Sequence, residues 1–349
     1  MKKRKINKRK LFALILILLL VIALGVYGVY NFILKGGERA PKGKKLEAKI
    51  EAKVDIVNLD SKTRPLAVSI NNTPVAVKVQ TGLNKAFLVY EIPTEGSTSR
   101  ILAVYKDVES TKVGTIRSAR HNMIDFSLES GAIFVAFGWS HYAQDDLQKK
   151  HVIDYVQGIV SEGNMWRENP AHLDSEHTVY LQTDKVYDYA RDRKNYSLES
   201  DSSIVLKYNV VDVDLSDKKD NKVANTVTIP YGSVTTVFRY NAETGMYTRV
   251  VNDRVATDYF TGEEFTTKNI IIQRLTYNRT SDGYYWNLNT VSNGDGYYIT
   301  NGYAIPIVWS KDSRGAKTKY MTTDGDELEV SDGRTYIEVQ VTSKNSTIE

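Results

Sequence analysis

Arg117 and Arg120, three residues apart in VGTIRSARHNMIDF, are the side chains of this sequence best suited to holding an anion. If the chain turns into a helix at Arg117, that spacing sets both guanidinium groups on one face of the first turn. Unpaired N–H groups and the positive end of the helix dipole already favour negative charge there, so the pair, with Ser118 between them, would bind a carboxylate or phosphate. Upstream, VYEIPTEGSTSRILAVY places Glu91, Glu95 and Arg100 around a Pro/Gly turn between two apolar runs, and charged side chains at strand ends often converge in a cleft. Two readings of this charge stay open. The carboxylates pair internally with the arginines, or Glu91 and Glu95 act as acid and base of a hydrolase or transferase.

Two further segments invite chemical readings. Ser140 in FVAFGWSHYAQDDL follows an apolar run and Gly138 and opens a helical pattern, the strand-turn-helix setting of a nucleophilic serine. Tyr142 stands where the second small residue of that motif belongs, and helix capping explains the serine equally well. WRENPAHLDSEHTVYLQTD gathers Trp166, Arg167, His172 and His177, but histidines five apart do not share a helical face and no H-E-x-x-H pattern occurs. No metal site or cofactor is expected, and His177 reads as a hydrogen-bonded histidine before a strand.

The elements that must position these residues follow from periodicity. Short apolar runs at 66–70, 87–92, 101–105 and 132–137 read as strands, and helices are expected after Arg117, after Ser140 and from an N-cap at Thr183. Beyond residues 197–203 the chain becomes β-rich, with turns such as NAETG, TSDG, NGDG and TDGD, and holds 13 of the 23 tyrosines. The expected fold class is α+β: an N-terminal membrane anchor helix, a mixed α/β first domain over 64–200, and a mostly antiparallel β second domain over 201–345. Residues 35–63 read as a solvated stalk.

Residues 11–34 are almost wholly apolar after seven Lys/Arg within residues 1–10. Roughly twenty apolar residues cross a bilayer core of about 30 Å, so this segment is expected to be an uncleaved single span with its basic tail in the cytoplasm. The chain's 46 basic and 42 acidic residues become 39 and 42 without that tail, and 32 and 39 without the seven basic and three acidic residues of 11–53. A body at −7 excludes a general nucleic-acid binder. With no cysteine, disulfides, thiol nucleophiles and Cys-ligated zinc are excluded as well.

The chain resembles the YerB-like family of bacterial extracytoplasmic proteins, usually anchored as lipoproteins. The resemblance runs from Arg64 to Val341. It is carried by RPLAVSINN (64–72), VYE (89–91), EGSTSR (95–100), GTIRSAR (114–120), GWS (138–140), WRE (166–168) and HTVY (177–180). In the second half it is carried by YTR (247–249), NIIIQ (269–273), NGDG (293–296), NGYAIPIVW (301–309) and DGRTYIEV (332–339). Ala136 stands where the family pattern has histidine, His141 and Glu176 where it has proline, and an apolar span replaces the lipidated cysteine. The resemblance implies an envelope location and two domains, and supplies no settled activity.

The expected function is therefore binding of an anionic cell-wall component or a membrane-protein partner through a cleft of the first domain. Its residues would be Glu91, Glu95, Arg100, Arg117, Ser118, Arg120, Trp166, Arg167 and His177. The alternative is a wall-polymer hydrolase or transferase using Glu91 or Glu95.

Overall fold

The computed structural model describes residues 16–27, 53–158, 163–201 and 204–349. Residues 16–27 form helix α1, all exposed. Among the described residues no helix is long and apolar enough to cross a membrane. The expected span over 11–34 extends past α1 at both ends, and these ends, like the basic tail, lie outside the described residues.

Lys53–Glu349 forms the folded unit. Its first strands are β1 (Leu66–Asn71), β2 (Leu88–Thr94) and β3 (Thr98–Tyr105), near the positions that periodicity predicts. Strands from both halves of the chain join in one eleven-stranded sheet. Strand Thr335–Val341 is its hinge: it runs parallel to β2 on one side and parallel to Asn269–Leu275 on the other. The neighbouring strands Asn293–Thr300 and Tyr303–Ser310 continue antiparallel, whereas Ile133–Ala136 and Tyr155–Gln157 extend the far side of β1 in parallel. The whole is a mixed α/β two-domain fold, rich in strands and poor in helices.

Near-continuous apolar runs in β1, β2 and β3 have a physical reason, because both faces of this sheet are covered. Val68, Val89, Ile101 and Tyr336 lie on one face, under a six-stranded sheet that brings Val227, Ile229 and Phe238. Ala67, Leu88, Tyr90, Leu102 and Ile337 alternate onto the other face, where helix α2 (His121–Glu129) seats Met123, Ile124 and Phe126. Phe126 meets Tyr90 with ring centroids 5.0 Å apart. Full burial of such a side chain contributes about 1.5–3 kcal/mol.

The stalk expectation needs correction at its end. Residues 53–63 lie on the body: Asp332 accepts the backbone N–H groups of Asp55 and Ile56 at 2.7 and 3.0 Å, Val57 is buried, and Lys106 Nζ donates to the carbonyls of Ser61 and Thr63. Residues 35–52 lie outside the described residues.

Candidate functional site

The segment carrying the two arginines is extended, not helical. The Ile116 and Arg117 N–H groups donate to the carbonyls of Val179 and Ser69 at 2.8 and 2.9 Å, and those of Phe137 and Ser140 donate to the carbonyls of Arg117 and Ala119. The segment is thus woven between the ends of β1 and Ile133–Ala136. Helix α2 starts only at His121, with Arg120 as an extended N-cap (φ −122°, ψ 143°). The expectation of two guanidinium groups on one helical face is overturned, because these backbone hydrogen bonds hold residues 116–119 outside the helix. Arg117 and Arg120 find different partners.

Arg120 Nε donates to both oxygens of Glu95, at 2.8 and 2.9 Å, and its Nη2 contacts the same carboxylate. Its guanidinium sits 5.4 Å from the ring centroid of Tyr285. Arg100 is buried: one Nη donates to the Ser118 carbonyl and the other lies 3.8 Å from Glu95. Burial raises the Glu95 pKa, yet the hydrogen bonds and charge of Arg120, with the charge of Arg100, hold it below the usual carboxylate value. Burial, with Arg120 nearby, drives Arg100 well below its ordinary value against the pull of Glu95. Ser118 adds its backbone carbonyl, while its Oγ would stand 2.7 Å from any Cβ at Gly138, which sits at φ +84°.

Arg117 pairs with Glu176 at 2.9 Å, and its buried Nε has no hydrogen-bond partner among the described residues. The Glu176 side chain is 51% exposed. Hydrogen bonding from Arg117 lowers its pKa. His177 is buried beside it, with Nδ1 2.8 Å from the Asn71 amide and Nε2 3.3 Å from Glu176, as the hydrogen-bonded reading expects. Arg167 reaches Thr178 Oγ1 at 3.0 Å and the Ser175 carbonyl, and lies over the Phe137 ring. Trp166 faces a different set of groups: its Nε1 donates to Glu168 at 2.6 Å, and Glu168 also holds Lys112 at 2.5 Å. The expected site thus divides into a rim of Glu95, Arg100, Arg117, Arg120 and His177, to which the structure adds Glu176, and a separate Trp166 cluster.

Glu91 belongs to neither. It is sealed between the sheets at 0% exposure, accepting hydrogen bonds from Asn72 (2.8 Å), Ser99 (2.7 Å), Thr236 (3.0 Å) and Arg249 (3.0 Å). The parallel register places Glu338 opposite it, and Tyr231 donates to Glu338 at 2.7 Å. Arg249 and Glu338 were not singled out from the sequence. A β-alternating pattern could have flagged both as polar residues on an inward face, had the strand pairing been known. Ser140 caps the following helix, its Oγ accepting the Ala143 N–H at 3.2 Å. Capping therefore accounts for its position.

Comparison with known proteins agrees with this architecture. Residues 55–197 match the family described as "Protein of unknown function (DUF3048) N-terminal domain", and residues 226–337 match its C-terminal domain. YerB of Bacillus subtilis (strain 168), whose name marks it as a candidate lipoprotein, is 30% identical over 285 residues, 79% of this chain and 81% of that protein. The crystal structure of YerB from Bacillus subtilis superposes with a TM-score of 0.71 at 27% identity, covering 82% of this chain and 94% of that one. With both halves matched in order and the fold shared, this chain belongs to the YerB-like, DUF3048 family.

Proposed function

We propose that this chain is an extracytoplasmic envelope protein, held at the membrane by residues 11–34, that binds an anionic component of the cell wall at the Arg117 edge of the rim. The lipoprotein name of its relative supports a membrane-associated location. This sequence has no cysteine to carry a lipid, and the apolar segment would serve in its place.

One observation carries the binding reading: three guanidinium groups, Arg100, Arg117 and Arg120, share two carboxylates, Glu95 and Glu176. The rim is one cation in excess, and an arriving carboxylate or phosphate would complete it with charge-assisted hydrogen bonds. Glu176, half exposed, is the internal group such an anion would displace. The acid/base alternative needs a carboxylate free of arginine and open to substrate. Glu91 and Glu95 are both ion-paired, and Glu91 is sealed.

The test is co-sedimentation of the full chain, in detergent micelles, with isolated wall sacculi. Arg117→Ala should lose binding, and Glu176→Gln, which removes the internal competitor, should strengthen it. Equal sedimentation of all three proteins would overturn the assignment.

A further inference from the structure

A concave site lies where helix α2 and the helical segment after Ser140 meet residues 287–291 of the other half. It is a pocket of 390 Å³, at the small end of the roughly 300–1,000 Å³ typical of small-molecule sites. Its charged lining is internally spent. Arg314 bridges Asp125 and Asp146 at 2.6 Å each, Lys150 holds Asp146 at 2.8 Å, and Asp145 pairs with Lys149 at 2.6 Å. An anion would meet three lining carboxylates against two cations.

The neutral groups facing the pocket are His121, Tyr142, Asn287, Asn289 and Thr290. Both ring nitrogens of His121 are buried and neither makes a well-formed hydrogen bond among the described residues, although Asn287 lies near enough to favour the protonated ring. A neutral imidazole presents one donor and one acceptor and is costly to bury with both unmet. Burial lowers the His121 pKa against the pull of Asp125 and Asp146, which favours that neutral form. Beside the pocket stands a group of aromatic rings. His141 and Tyr142 lie 4.1 Å apart, Tyr142 and Tyr285 6.0 Å, and Tyr284 and Tyr285 4.8 Å, with Tyr284 60% exposed.

We infer that this pocket binds a neutral saccharide, with the Tyr142 ring as stacking platform, the Asn287 amide and the Asn289 Oδ1 meeting the hydroxyls, and a turn of the buried His121 ring on binding bringing one of its nitrogens to them. A pyranose presents C–H groups on its faces, which suit the negative face of an aromatic ring, and hydroxyls that both donate and accept. Each requirement has a counterpart here, and the spent charge disfavours an ionic ligand. The inference does not depend on the anion reading of Arg117.

Isothermal titration of the full chain in detergent micelles, with chitotetraose and with maltotetraose as probes, tests it. Saturable binding of at least one neutral oligomer is expected, weakened about tenfold by Tyr142→Ala and by His121→Ala, as loss of a packed ring or a buried hydrogen bond implies. Asn287→Ala changes an exposed lining side chain and should weaken binding by about threefold, the size of a modest contact. Arg117→Ala should leave it unchanged. The inference fails if neither oligomer binds at millimolar concentration, or if wild type and Asn287→Ala bind alike.

Discussion

Glu91 and Glu95 lie four residues apart on one hairpin, and the structure makes opposite things of them. Glu91 sits between two sheets with Arg249 and Glu338, two carboxylates to one guanidinium, all at 0% exposure. Glu95 sits in the rim, where three arginines face two carboxylates and both Arg117 and Glu176 reach solvent. The sealed cluster is one cation short and the rim one cation over. Where no solute can enter, the imbalance must be met by a proton, and burial with the neighbouring Glu91 charge accordingly raises the Glu338 pKa well above 4.5. Where solute can enter, the imbalance is available for binding. The same two residue types thus make a joint in one place and a candidate site in the other, and access alone separates them.

Removing the buried cation should produce the largest effect. Arg249→Met leaves Glu91 facing Glu338 without its guanidinium partner, and breaking a buried pair from one side costs about 3–5 kcal/mol. Chemical denaturation of the full chain measures it. A loss below about 1 kcal/mol would mean that the cluster is not ionic, and the contrast with the rim would collapse. Ser140→Ala comes next. With the Oγ serving the Ala143 N–H, the change should cost about 1 kcal/mol of stability and leave sedimentation with sacculi unaltered. Lost binding with stability intact would instead return Ser140 to the site.

Much of this was legible in the sequence, for reasons that can be named. The apolar runs of β1, β2 and β3 are long and bounded by turn residues, so their positions followed from pattern. The start of α2 did not. Arg117 and Arg120 have helix-compatible spacing, but the carbonyls of Ser69, Gly138 and Val179 hold residues 116–119 extended, and no local signal encodes that capture. Glu95 and Arg120 could be proposed as partners because both are charged and near turns. That Glu91 takes Arg249 instead depends on the packing of the six-stranded sheet, whose strand Met246–Val251 carries Arg249, against the eleven-stranded one, a contact across 158 residues that only the assembled sheets define. Nothing in SARHNM separates His121 from any other polar residue at a helix start.

The smallest expected change in acid, and the sharpest test on the sealed side of the comparison, is Glu338→Gln. In the unfolded chain this carboxyl titrates near its ordinary 4.5; in the folded chain its pKa is raised well above that. Below about pH 4.5 both states hold the proton and the contribution of Glu338 to stability is fully present. Above it the unfolded chain releases a proton that the folded chain keeps, so wild-type stability falls as pH rises towards the folded value. Glutamine holds the neutral form at every pH, and its amide oxygen can still accept from Tyr231. The variant should match wild type in acid and gain on it steadily towards neutrality, as read from denaturant midpoints across that range. Parallel curves would place the shared proton elsewhere, and the sealed cluster would then have to balance its charge by some means other than protonated Glu338.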